Sequence, residues 1–200
     1  MSLEKPWEKR FDTLVDELAR NYDGKLKRPE STRDLPTLAV DPSYFNYPIF
    51  YGEYKNMQFI VENNELPGAK YSIYDLGDNV EFLRITLLRQ SPVNIEITHE
   101  HWLHRLQKKI KIKREFQTGN EAFDKDYFLH ADSERDKQLL ADSEFQQIVR
   151  QLEPLSVLRI YKVGVRLSQM ITDAKHLDYL TVDRCIRNLY KIADLLSSIK

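Results

Sequence analysis

The chain has 200 residues, 30 Lys plus Arg against 31 Asp plus Glu, 42% hydrophobic and 11% aromatic residues, and one cysteine, Cys185. Near-neutral charge argues against a strongly basic nucleic-acid binder, the apolar content suits a packed core, and the lone thiol excludes an internal disulfide or a cysteine-rich zinc site. No apolar run approaches the roughly 20 residues of a membrane span, and the start Met1-Ser2-Leu3-Glu4-Lys5-Pro6 is not a secretion signal, so a soluble, cytoplasmic domain is expected.

Trp7, Phe11, Leu14, Val15, Leu18 and Tyr22 form one stripe on a helix over about 6–22. Pro6 suits its first turn, and Asp23-Gly24 ends it. Pro29, Pro36, Pro42 and Pro48 then disfavour regular structure, because each removes a backbone donor and restricts the residue before it. The second half of this connection carries Tyr44, Phe45, Tyr47, Phe50, Tyr51 and Tyr54. That aromatic area suits packing over a sheet more than base stacking.

From Gly52 to His99 the pattern is that of strands. Met57, Phe59 and Val61 alternate with polar or outward positions, Pro67-Gly68 and Gly77-Asp78-Asn79 mark turns, and Tyr71–Tyr74 reads as a short strand. Val80–Leu88 is apolar and β-branched. Val93, Ile95 and Ile97 alternate with Asn94, Glu96 and Thr98. Thr98 then caps a helix carrying Leu103, Leu106 and Ile110, and Lys111–Lys113 continues extended. Phe123, Tyr127 and Leu129 surround a short strand. Ser133 and Asp136 have capping-box spacing, Asp142 starts a second helix with Phe145, Ile148, Val149 and Leu152, and Pro154 closes it. Leu155–Met170 reads as a hairpin. Thr181 caps a last helix buried through Val182, Ile186, Leu189, Ala193 and Leu196.

Clustered strands with interspersed helices predict an α+β fold, an antiparallel sheet with helices on one face, plus an N-terminal helical arm. The division expected is an arm over 1–50 and a single domain over 51–200.

Between Arg105 and Arg114 lie Arg105, Lys108, Lys109, Lys111, Lys113 and Arg114, with no acid among them. Such a run suits an acidic protein or an anionic membrane surface, and the overall charge makes nucleic acid a poor partner. Read plainly, it is a solvated face that protects a strand edge. His99, Glu100, His101 and His104 fall within six positions, so His99, His101 and His104 are the candidate metal ligands, with His130 or Asp124 to complete the set. The order Glu-His-x-x-His is not that of a zinc protease, and histidines on the wet side of a helix explain it as well. Glu121, Asp124, Asp126 and Asp132 lack EF-hand spacing, and Cys185 sits among apolar neighbours as a buried thiol.

The segment Thr118-Gly-Asn-Glu-Ala-Phe-Asp-Lys-Asp-Tyr-Phe-Leu-His-Ala-Asp132 resembles a Thr-Gly-Asn-x-x-Phe-Asp pattern in a family of uncharacterised prokaryotic proteins, a domain of unknown function. The resemblance covers the order of elements over 52–198 and implies strands first, then helix, hairpin and helix. It implies no activity, cofactor or catalytic residue. Some of those proteins carry membrane spans before the domain. Read from its residues alone, the motif is a turn. Gly119 supplies positive φ, Asp124 binds nearby amides, and Phe123 and Phe128 anchor it.

The expectation is therefore a non-catalytic interaction or ligand-binding domain using the basic face, without a cofactor. The alternatives are a metal-dependent enzyme centred on the histidines and a structural subunit of an oligomer.

Overall fold

A computed structural model describes residues 6–27, 49–65, 81–100, 116–171 and 173–198. Helix α1 (Pro6–Asn21) buries Phe11, Leu14, Val15 and Leu18, the stripe its spacing predicts. Eight strands follow: β1 (Asp23–Lys27), β2 (Ile49–Tyr54), β3 (Met57–Glu65), β4 (Glu81–Leu88), β5 (Ile95–His99), β6 (Tyr127–Ala131), β7 (Val157–Tyr161) and β8 (Gly164–Met170). Helix α2 (Glu121–Asp126) precedes β6, and α3 (Glu134–Ala141) and α4 (Ser143–Arg150) lie between β6 and β7. A short 3-10 turn (Ala174–Leu177) leads into α5 (Tyr179–Ser198).

The strands form one antiparallel sheet in the order β1-β2-β3-β4-β8-β7-β5-β6. The fold is α+β, as the pattern of elements predicts. Side chains alternate between faces with period two. One row across the sheet reads Phe50, Val61, Ile85, Leu167, Leu158, Ile97 and Leu129, all fully or nearly fully buried on the face that α1, α3 and α5 pack against. At about 1.5–3 kcal/mol per buried side chain, this row anchors the whole sheet to its helices. The next row, on the opposite face, is Tyr51, Ile60, Thr86, Arg166, Arg159, Glu96 and His130, and is tied by Arg159–Glu96 (2.7 Å) and Arg166 to the Thr86 hydroxyl (3.1 Å).

Four local expectations change. The proline-rich connection begins as a strand, because Asp23–Lys27 contains no proline and β2 supplies its ladder, with Lys25 opposite Tyr51. Its side chains are mostly exposed, so no apolar alternation announces it. The strand expected from Val93 starts at Ile95. Phe123 lies in α2, whose Asn120 cap accepts from the Phe123 amide (3.3 Å), so the strand starts only at Tyr127. The last helix begins before Thr181, whose amide donates to the Asp178 carboxylate (3.3 Å). The Tyr71–Tyr74 strand, the helix after Thr98 beyond Glu100, the extended Lys111–Lys113 piece and Tyr44, Phe45 and Tyr47 lie outside the described residues.

Candidate functional site

Helix α5 buries Val182, Cys185, Ile186, Leu189, Ile192, Ala193 and Leu196, so its 3.6-residue period turns Arg184, Arg187, Lys191 and Asp194 outward. The outward face is the floor of an open groove of ≈ 740 Å³. One wall is the turn between β2 and β3, with Tyr54 and Lys55. The other is α4 and the residues after it, with Glu144, Arg150, Gln151 and Glu153.

The first wall has a defined geometry. Lys55 and Asn56 connect Tyr54 to its partner Met57 as a two-residue hairpin, with φ of 49° and 63°. Paired positive φ is what such tight hairpins require, and Asn tolerates it. Lys55 holds it at a cost of about 1–2 kcal/mol. In return, its ammonium lies 5.0 Å from the Tyr190 ring centroid and 5.6 Å from that of Tyr54. The two rings meet edge to face at 5.3 Å.

A chain of polar contacts fixes this corner to α1. The Tyr22 hydroxyl donates to Asp183, and Arg187 donates to Asp183 (2.8 Å) and to the Tyr54 hydroxyl (3.3 Å). Burial, the Asp183 contact and that carboxylate's charge push the Tyr22 phenol far above its ordinary value. At Asp183, burial alone raises the pKa, but hydrogen bonds from Arg187 and Tyr22 outweigh it and hold the carboxyl below its usual 3.8. A depressed folded value gives stability that is full above the unfolded pKa and vanishes as pH falls through the folded one. Asp183→Asn is expected to cost about 2 kcal/mol at pH 7. In urea titrations, its gap to the parent should close as pH drops below about 4. A gap independent of pH contradicts the assignment.

On the other wall, Arg184 donates to the Glu153 carbonyl (2.7 Å) and Asn188 to the Gln151 carbonyl (3.2 Å). The Glu153 carboxylate is engaged by the Tyr127 hydroxyl (2.7 Å), the Leu155 amide (3.3 Å) and His99 (3.8 Å). Lys191 donates to Asn188 (3.1 Å), a neutral partner. Lys55, Arg184 and Lys191 thus have no carboxylate partner among the described residues, whereas Arg187 has Asp183 and Arg150 has Asp126 (3.8 Å).

Of the residues singled out by sequence, Arg105, Lys108, Lys109, Lys111, Lys113, Arg114, His101 and His104 lie outside the described residues. His99 ends β5 with its ring edge-on to Tyr127 at 5.4 Å. His130 belongs to the other face of the sheet, since it pairs with Glu96, three positions from His99, and it contacts Asp132 (3.1 Å). Asp124 receives the Thr118 amide and hydroxyl (3.0 and 2.8 Å) and the Gly119 amide (3.0 Å). Gly119 has φ of 86°, so the Thr-Gly-Asn-x-x-Phe-Asp segment builds a turn from its own groups. Among the described residues no three His, Cys, Asp or Glu side chains are grouped to hold a metal. Cys185 is fully buried, and burial pushes its thiol up to about 12, which makes it inert. Sequence reasoning missed the groove. The cations at 184, 187 and 191 are legible as a helix's wet face, but the contact of Arg187 with Tyr54 joins positions 133 residues apart.

The fold and the groove define an eight-stranded antiparallel α+β domain with a partly cationic helix face. No family model and no curated protein matches the sequence. Among solved structures, it is similar to the crystal structure of the mycobacterial trehalose monomycolate transport factor A, TtfA, with a TM-score of 0.60, 9% identity and 98% of each chain covered. That likeness is one of fold. No helix among the described residues is long and apolar enough to cross a membrane.

Proposed function

We propose that this chain is a non-catalytic interaction domain whose groove along α5 takes an acidic segment of a protein partner. The observation that carries this reading is the set Lys55, Arg184 and Lys191, three cations without a carboxylate partner among the described residues, beside Tyr54 and Tyr190. Backbone strain at Lys55 supports it, since strain held at an exposed turn tends to accompany function. A groove with two walls favours a protein segment over a bilayer, whose flat headgroup plane cannot follow it.

The basic run Arg105, Lys108, Lys109, Lys111, Lys113 and Arg114 belongs to the same proposal as a second positive surface. It follows in sequence from β5, whose last residue, His99, contacts Glu153 on the groove wall. TtfA is a transport factor. For this chain, a similar scaffold is consistent with an accessory binding role rather than catalysis. The proposal includes a cytoplasmic location, where a lone thiol such as Cys185 stays reduced.

Fluorescence anisotropy with a labelled decaglutamate peptide tests the reading. Binding at low salt should weaken steeply as salt shortens the Debye length from about 30 Å to 8 Å. Arg184→Glu with Lys191→Glu should lower affinity about 30-fold or more with the fold intact by circular dichroism. Equal affinity of variant and parent, or binding to anionic vesicles with none to the peptide, overturns it.

A further inference from the structure

Strand β1 stands at one end of the sheet order, and among the described residues no strand pairs with its outer edge. Every second residue of such an edge turns its N–H and C=O outward, a template for one more strand. The side chains along it say what kind of strand fits. Leu26 lies opposite the buried Phe50, on the face that the helices pack against, yet it is 44% exposed. The apolar layer thus stops one strand short. Lys25 and Lys27 lie on the other face, opposite Tyr51 and Ile49. Both are exposed, and neither has a carboxylate partner among the described residues. Asp23 shares that face and lies directly opposite Glu53, so the edge begins with acids and ends with bases.

We infer that β1 takes an added antiparallel strand from a protein partner, at a surface separate from the groove along α5, and that the added strand reads acid-apolar-acid-x-base. Side chains two positions apart on a strand share a face, so the two acids and the base meet Lys27, Lys25 and Asp23 in turn. The apolar residue between the acids falls on the other face, against Leu26. Opposite charges directly across a ladder are favourable and like charges are not. Backbone hydrogen bonds supply the affinity of such an added strand, and its alternate side chains supply the selection. A second copy of this chain fits worse, because pairing β1 with itself so that the two Leu26 side chains meet sets Lys25 against Lys27 twice.

A labelled, blocked peptide Thr-Glu-Val-Glu-Thr-Lys-Thr tests this by fluorescence anisotropy and by amide hydrogen exchange. Bound peptide should slow exchange at alternate residues of β1. N-methylation at both Glu and the Lys blocks one edge of the peptide, and N-methylation at Val and the Thr between Glu and Lys blocks the other. One isomer should bind like the parent peptide and the other at least about tenfold more weakly. Lys25→Glu with Lys27→Glu should weaken the unmethylated peptide about tenfold with the fold intact by circular dichroism. Equal affinity of the two isomers overturns the added strand. So does slowed exchange at 184–191 with none in β1, or no binding of this peptide while decaglutamate still binds, and both of these leave the groove's function standing. A dimer by sedimentation with β1 amides protected in the absence of peptide also overturns it, by assigning the edge to a second copy.

Discussion

Asp136→Ala should lower the unfolding free energy by about 3–4 kcal/mol. Its carboxylate is 2% exposed and accepts from the backbone amides of Asn94 (3.0 Å), Asp132 (3.1 Å) and Ser133 (2.8 Å). The Ser133 hydroxyl accepts in return from the Asp136 amide (3.2 Å), which completes a capping box at the start of α3. The Asn94 contact reaches across 42 positions to the segment entering β5, so one side chain joins a helix start to the sheet. Removing it leaves several donors short of a charged acceptor at once. Urea denaturation should show a lower midpoint with an unchanged slope, and Tm should fall by about 10 °C. Asp136→Asn, which keeps the volume and one acceptor oxygen, should lose about half as much. A loss under about 1 kcal/mol for the alanine variant contradicts the role assigned to this network.

The second large effect has the opposite sign. Asn63 and Gln169 lie on the helix-covered face, each opposite Leu83 on its own side, and each is 1% exposed. Their side-chain amides have no hydrogen-bond partner among the described residues. A buried amide without a partner costs about 1–3 kcal/mol, and an apolar side chain of similar volume avoids that cost. Asn63→Leu combined with Gln169→Met should raise stability by about 2–4 kcal/mol, read as a higher urea midpoint. The two side chains flank Leu83 from the strands on either side of β4, so the single effects should couple through that shared neighbour rather than simply add. Destabilisation by the pair would mean that ordered water satisfies both amides and that the seam holds the sheet together.

Much of the architecture is legible in the residues themselves. The stripe of α1, the capping box at Ser133 and Asp136, the start at Asp142 and the hairpin joining β7 to β8 all follow from local chemistry, because spacing and caps act within a few residues. β1 is not legible, since its partner lies beyond the proline-rich connection and most of its side chains face solvent. Phe123 misleads for a related reason. An apolar residue just before a strand looks like part of it, and only the Asn120 cap assigns it to α2. At the site, the outward cations of α5 are readable and their setting is not. The contact of Arg187 with Tyr54, and of Lys55 with Tyr190, depends on the sheet bringing the β2–β3 turn to the last helix. Lysine in a turn that demands positive φ is also the residue a pattern search passes over.

Titration of the isotopically labelled chain with decaglutamate, followed by amide chemical shifts, tests the groove most directly. Shifts concentrated at Tyr54, Lys55 and residues 184–194, and lost in Arg184→Glu with Lys191→Glu, are the predicted result. Shifts confined to another surface, with these amides unmoved at saturation, would contradict it.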